Sequence, residues 1–396
     1  MIINTNFLKK RFNKHPKRLH LWFPDIFQFK GGIQVYSAFL LEALQKLYPQ
    51  IEYNVFLKHD SYYPENLSFL KNIYFHFSGN WNQNLRTLVF AIQLLVFAIN
   101  KPPNLIISSH INFGILAYYL NYIFGIPYWI VVHGVDVWNI SNPNLIKALL
   151  NADRIISVSN YTKERLLKEQ NIDPIKISIL PNTFDHNQFC IAEKSQYLID
   201  RYGLTRDQPI ILTVSRLSRC DGYKGYDQIL QILPLIRKEI PNIHYLLVGK
   251  GDDQARIIQL INELNLQDCV TLTGFVSDHE ICDHYNLCDV FAMPSQGEGF
   301  GIVYLEALAC GKPVLGGNQD GAIDALCHGE LGALVDPNDK YEIARTLIAI
   351  LEGDYPNSLI YQPEALRERV IEYFGFDQFT KTISKLIINS PLCTYI

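Results

Sequence analysis

The chain has 396 residues, nearly half of them apolar and 19% charged, with a mean hydropathy near zero. That excludes a disordered chain, and the length exceeds the usual single-domain range, so two domains are expected. The net charge of −4 hides an asymmetry: residues 1–190 hold 18 Lys+Arg against 11 Asp+Glu, and the remainder holds 17 against 28. A net of +7 in the first half points to a phosphate-bearing or anionic partner; no nucleic-acid partner is expected.

In chain order, the N-terminus carries Lys9, Lys10, Arg11, Lys14, Lys17 and Arg18 without an apolar run, so it does not read as a signal peptide. β-rich runs then predict strands at Leu19–Phe23, Tyr53–Leu57, Ile73–Phe77, Leu105–Ser108, Tyr128–Val132, Arg154–Val158 and Ile177–Leu180. Amphipathic stretches such as Gln34–Leu47 and Asn160–Glu169 predict intervening helices. Two apolar runs invite a membrane reading. Leu88–Ile99 spans only twelve residues, against the ~20 a crossing needs, and Ile115–Val132 is broken by Gly125-Ile126-Pro127 into a helix and a buried strand. Neither reads as a transmembrane helix.

Pro181-Asn182-Thr183-Phe184-Asp185 opens a turn-rich stretch reaching about Pro209, after which strands resume at Ile210–Val214, Tyr245–Val248, Val270–Thr273, Val290–Met293, Val314–Leu315 and Ala333–Val335. The expectation is therefore α/β: two Rossmann-like, doubly wound domains facing each other across a cleft. Their expected bounds are residues 1–185 and 209–375, with a linker at 186–208 and a C-terminal segment, 376–396, whose helix Phe376–Ile388 packs back on the first domain. All eight cysteines lie from Cys190 onward with no CxxC pair, which predicts the reduced thiols of a cytosolic protein.

In such folds ligands gather at the carboxyl ends of strands. The richest such segment runs from Gln296 to Pro313: a glycine-rich turn, then an apolar helix that Gly311 caps and Pro313 stops. It sets Glu298 on the lip of the loop and Glu306 ~7–8 Å along the helix. Free N–H groups of Phe300, Gly301 and Ile302 would face an anion between the two acids. Arg216 follows another strand, and Lys224-Gly225 opens the next helix; a planar fork and a mobile point charge divide the work on a diphosphate. Loops at Gly249-Lys250-Gly251 and Gly274-Phe275-Val276 suit a nucleotide pocket, or serve only as tight turns. In the first half, Gly31-Gly32 follows the first strand and His133-Gly134 follows a buried one. Each of these signals alone is as readily a surface turn or a structural side chain.

Other chemistries are disfavoured. There is no Walker A loop, Gly297-x-Gly299-x-Gly301 fails the dinucleotide spacing, and no Asp-x-Asp ends a strand, so no metal or other cofactor is expected. His279, Cys282, His284 and Cys288 resemble a metal set, but on one helix they point to opposite faces.

Together, Gly31-Gly32, His133-Gly134, Arg216-Leu217, Lys224-Gly225 and the Glu298/Glu306 motif resemble the retaining glycosyltransferases of family 4, with the GT-B fold. The resemblance implies hexose transfer from a GDP-mannose or UDP-glucose type donor to a glycan or lipid-linked acceptor. It implies donor contacts at Gly31, Gly32, Gly251, Phe275, Val276, Phe300, Gly301, Ile302 and Glu306. His133, Arg216, Lys224 and Glu298 would be the reacting set: Glu298 on the sugar, Arg216 and Lys224 on the diphosphate, Glu306 on the ribose. Front-face displacement is the mechanism implied. Two departures from the family pattern stand out: Thr183 where relatives often have glycine, and a longer loop from Ser218 to Tyr223. A nucleotide-sugar epimerase, a phosphorylase, a non-catalytic binding subunit and a nicotinamide-dependent oxidoreductase are the competing readings. The basic first half fits a cytoplasmic protein that meets an anionic membrane through Lys9–Arg18.

Overall fold

The computed structural model of the chain describes residues 17–63 and 72–388. It separates into two compact units: the described part of Met1–Asn182 with that of Phe376–Ile396, and Thr183–Gly375.

Unit 1 is a seven-stranded sheet in the order β3-β2-β1-β4-β5-β6-β7. Its strands are β1 (Arg18–Phe23), β2 (Glu52–Leu57), β3 (Ile73–Phe77), β4 (Leu105–Ser108), β5 (Tyr128–Val132), β6 (Arg154–Ser157) and β7 (Ile177–Ile179). Every pairing is parallel. Its central strands are buried on both sides, which is why they read as continuous apolar runs rather than alternating ones. The expected break in Ile115–Val132 is present: a helix, Gly114–Phe124, is capped by Gly125 at φ 70° before β5 begins. The last helix, Phe376–Ile388, lies on the helix Gly32–Leu47, with Phe376 against Phe39, Phe379 against Tyr36 and Lys46 paired to Asp377 at 3.0 Å.

Unit 2 repeats the plan with six parallel strands ordered β10-β9-β8-β11-β12-β13. They are β8 (Ile210–Val214), β9 (His244–Val248), β10 (Val270–Gly274), β11 (Val290–Met293), β12 (Val314–Gly317) and β13 (Ala333–Val335). Strand order reverses between β1 and β4 in unit 1 and between β8 and β11 in unit 2, and the loops leaving those strands are where a ligand crevice opens.

Two sequence expectations need correction, and a third lies mostly outside the described residues. The run at Leu88–Ile99 is the core of a longer helix, Gln83–Asn100, whose start is fixed by the Asn82 side chain accepting from Leu85 N–H. At 18 residues it is long and apolar enough to cross a bilayer, by length and composition alone. Residues 186–208 are not a linker: the helix Gln196–Tyr202 is held within unit 2 by Arg201 on Glu280 and Tyr197 on Asp283. The Lys9–Arg18 cluster falls mostly outside the described residues, and Arg18 itself is buried, with Glu52 at 2.7 Å.

Candidate active site

In unit 2 the chain leaves β8 through Arg216 and enters a 3₁₀ turn, Arg219–Lys224, that ends on Gly225 in the left-handed region. That turn is the long loop seen in the sequence. It places the buried Asp221 under Arg216, whose Nη2 lies 3.0 Å from Oδ2. It also delivers Lys224 to Glu298, and the two form a direct ion pair with both side chains largely buried. Tyr223 closes the turn, its ring where a Cβ on Gly297 would have to sit, 2.7 Å away. Burial, then the nearby Glu298 charge, pushes the Tyr223 phenol well above its usual range, so it stays neutral.

The chain leaves β11 into the loop that carries Glu298. Gly301 sits at φ 90°, a conformation only glycine adopts cheaply, and the helix Ile302–Ala309 starts at the next residue. No backbone or side-chain acceptor among the described residues meets the N–H groups of Phe300, Gly301 or Ile302, so the helix start keeps its free donors. The Phe300 side chain is buried against Phe374. Glu306, further along the helix, is held by Tyr285, whose hydroxyl donates to Oε2 at 2.7 Å. So the two glutamates are not equivalent: Glu298 answers a cation, Glu306 a buried phenol.

Sequence reasoning missed Asp320, which organises this loop. Its Oδ2 accepts from the Glu298 N–H at 2.7 Å and from Ser295 Oγ at 2.6 Å, and its Oδ1 accepts from Ala322 N–H at 2.9 Å. Burial pushes its carboxyl up to about 6 in spite of those bonds. The available signal was its place just after β12, ahead of Gly321, where a Cβ would strike the carbonyl of Gly299 at 2.1 Å.

Gly251 and the Phe275 loop lie beyond β9 and β10. A Cβ on Gly251 would meet Leu217 O at 2.0 Å, so its glycine is demanded by the fold. Phe275 is exposed, with Lys250 Nζ 4.9 Å above its ring, and Val276 beside it is half-buried. Of the residues whose spacing resembles a metal set, His284 bonds Tyr202 and the Glu280 carbonyl, and Cys288 is buried. His279 precedes the helix Ile281–Leu287 altogether.

In unit 1, the loop after β1 is drawn tight by Asp60, another residue the sequence did not flag, which accepts from the N–H groups of Ile26, Phe27 and Gln28. That loop delivers Gly31 to the start of the helix Gly32–Leu47. A Cβ on Gly32 would meet nothing within 4 Å. Among the described residues, none requires that glycine. His133 leaves β5 with its N–H on Asp136 Oδ1 and its Nε2 3.1 Å from the Ser109 carbonyl. A nitrogen facing a carbonyl carries the proton, so Nδ1 is the acceptor. Burial drags the His133 pKa to about 3, and burial likewise pushes Asp136 up to about 7. At neutral pH His133 is a neutral hydrogen-bonding group.

The structure thus brings Arg216, Lys224, Glu298, Phe300, Gly301, Ile302 and Glu306 onto the adjoining loops of β8 and β11 and the helix that follows, with Gly251 tied beneath Leu217. Gly31, Gly32 and His133 sit at the strand ends of unit 1.

The family profile described as Glycosyl transferases group 1 matches residues 196–373, and that described as Glycosyltransferase Family 4 matches residues 30–188; between them they cover most of the chain. The GDP-mannose-dependent alpha-(1-6)-phosphatidylinositol monomannoside mannosyltransferase of Mycolicibacterium smegmatis is 32% identical over 197 residues, 48% of this chain and 50% of that protein. The D-inositol 3-phosphate glycosyltransferase of the same species is 27% identical over 243 residues, 60% of this chain and 52% of that protein. The chain spans about half the length of these curated relatives. Sucrose-phosphate synthase from Thermosynechococcus elongatus superposes with a TM-score of 0.77 at 22% identity, over 93% of this chain and 98% of that one. Anabaena HepE in complex with UDP-glucose superposes at 0.75 and 21% identity, over 94% and 99%. At such identities these two likenesses speak for the fold alone. The two profiles and the paired parallel sheets make the chain a member of the group 1, family 4 glycosyltransferases, with the GT-B fold of two Rossmann-like domains.

Proposed function

We propose that the chain is a retaining hexosyltransferase that uses a nucleoside-diphosphate sugar and a glycan or lipid-linked acceptor. The observation that carries this reading is the Lys224–Glu298 ion pair beside Arg216 and the open start of the helix Ile302–Ala309. Two cations and a set of free N–H groups suit a diphosphate, and the carboxylate beside them suits the hydroxyls of the attached sugar.

On this reading the arriving diphosphate takes Lys224 from Glu298, and the freed carboxylate accepts from the sugar. Arg216, whose side chain is 60% exposed, turns its fork to the same phosphates. Glu306 anchors the ribose, while Gly251, Phe275 and Val276 lie toward the base. By the family resemblance, Gly31, Gly32 and His133 of unit 1 are proposed as further donor contacts. The bond from the anomeric carbon to the phosphate oxygen breaks, and the acceptor oxygen bonds on the same face. The acceptor proton passes to the departing phosphate oxygen. Charge on the leaving group is met by Arg216, Lys224 and the helix start, so no metal is expected to be needed. The relative named for GDP-mannose supports a donor of that type.

The test is a thermal-shift panel of GDP-mannose, UDP-glucose and related sugar nucleotides, with and without Mg²⁺, followed by NMR of the products. A specific donor should raise Tm by mass action, equally with and without metal. Slow release of UDP or GDP and an α product from an α donor are expected. An epimerised sugar nucleotide, phosphate-dependent glycosyl phosphate, or binding without any turnover would each overturn the assignment in favour of a named rival.

A further inference from the structure

The helix Gln83–Asn100 is apolar on two opposite sides. Phe90, Leu94 and Ala98 are buried in the core of unit 1. Leu85, Leu88, Ile92, Leu95, Val96 and Ile99 point the other way and are 39–57% exposed. At ~100° per residue these six fall within one ~100° arc, the width of a face that normally meets a core. The neighbouring helix, Gly114–Phe124, adds exposed Tyr119, Tyr122 and Ile123, and Trp81 stands just ahead of the first helix at 48% exposure. Scattered surface leucines need no explanation, but a continuous stripe does.

The charges around it select the occupant. From residue 72 to residue 135 the chain has no Asp or Glu, while Arg86 and Lys101 lie in that stretch. Lys101 follows the helix directly, its Nζ 5.8 Å from the Phe97 ring, and Lys147 stands 5.0 Å from the Tyr118 ring on the next helix. An aliphatic stripe with aromatic side chains and cations nearby, on a stretch of chain without carboxylates, matches the acyl–headgroup boundary of an anionic bilayer. Crossing the bilayer is a different matter: it would strip Phe90, Leu94 and Ala98 out of the core.

We propose that this face, and not the basic N-terminal cluster, is an interfacial docking surface on which the protein lies against an anionic membrane. The proposal stands on the surface of unit 1 and does not depend on the donor chemistry assigned to unit 2.

Flotation of the full chain with phosphatidylcholine vesicles, with and without phosphatidylglycerol, tests it. The wild type should float with the anionic vesicles. Raising salt from ~0.1 M to ~1 M should weaken flotation without abolishing it, because apolar burial is not screened. The double variant Ile92→Ser, Val96→Ser should lose about tenfold or more of the partitioning at unchanged Tm, since both side chains are solvent-exposed. A variant with Lys9, Lys10, Arg11 and Lys14 neutralised should still float. The proposal is overturned by a wild type that stays at the bottom, by a double variant that floats normally, or by loss of binding only in the N-terminal variant. A wild-type dimer that the double variant makes monomeric, with no vesicle effect, would assign the face to a second copy instead.

Discussion

In unit 2 the strands at the reversal of sheet order end in Arg216 and in the loop to Glu298, and each cation already holds a carboxylate: Asp221 for Arg216, Glu298 for Lys224. In unit 1 the loop after β1 carries Gly31 and Gly32, and the end of β5, one strand beyond the reversal, carries a neutral His133. The acidic unit thus holds each of its two cations in position by pairing it with an acid. The basic unit offers open space and hydrogen bonds. One topology therefore supports two kinds of site, and the difference comes from loop residues alone.

The largest effect should come from breaking the charged half of that contrast. Lys224→Ala removes a cation from the leaving group and leaves Glu298 unpaired; transfer should fall about 10²–10³-fold, measured as kcat/KM with the preferred donor. Near-normal transfer would remove the diphosphate role. Next comes the support beneath it. Asp320→Asn keeps the shape but cannot accept all three of the bonds Asp320 now receives; a loss of about 1–3 kcal/mol in a urea melt is expected. Turnover should fall further than donor affinity.

The neutral half can be tested by pH. Unit 1 holds His20 and His133 pulled to about 3 and His76 to about 4, in each case chiefly by burial. The unfolded chain takes up these protons below ~6.5 and the folded unit does not, so stability drops as pH falls from ~6.5, by ~1.4 kcal/mol per unit for each histidine. Asp136, raised to about 7, works against one of them, because the folded unit keeps a proton that the unfolded chain has lost. All four tryptophans, Trp22, Trp81, Trp129 and Trp138, lie in unit 1, so tryptophan fluorescence reports this unit. Its denaturation midpoint should fall clearly between about pH 6.5 and pH 5; a flat profile would contradict the burial of these rings.

The smallest expected change separates two glycines. Gly251→Ala collides with the Leu217 carbonyl and should destabilise unit 2. Gly32→Ala meets open space, so Tm should stay put while donor KM rises. If both variants only melted earlier, Gly32 would have no ligand to approach.

These contrasts also mark how far the sequence could be read. Strands β1 to β13 were legible within a residue or two because burial on both faces demands continuous β-rich runs. β12 was cut short at Leu315, since its last residues, Gly316 and Gly317, resemble a turn. Gly317 is nevertheless in the sheet, with the Ser295 carbonyl 2.0 Å from where its Cβ would be. The first turn of the helix Gln83–Asn100 was lost because Gln83, Asn84 and Thr87 are polar, and the short helix Gln196–Tyr202 depends on contacts with Glu280 and Asp283 that no local pattern records. The site shows the same division. Arg216, Lys224, Glu298 and Glu306 stood out because each follows a strand or lines a helix start. That Lys224 meets Glu298, that Tyr285 holds Glu306, and that Asp320 and Asp60 shape the loops are facts of tertiary contact.

The most direct test of the central claim is the affinity of free UDP and GDP, by calorimetry, for the wild type and for Glu298→Gln. If Glu298 holds Lys224 in place until a diphosphate takes it, the variant should bind the nucleoside diphosphate several-fold more tightly while transferring sugar far more slowly. Unchanged or weaker nucleotide binding by that variant would contradict the account.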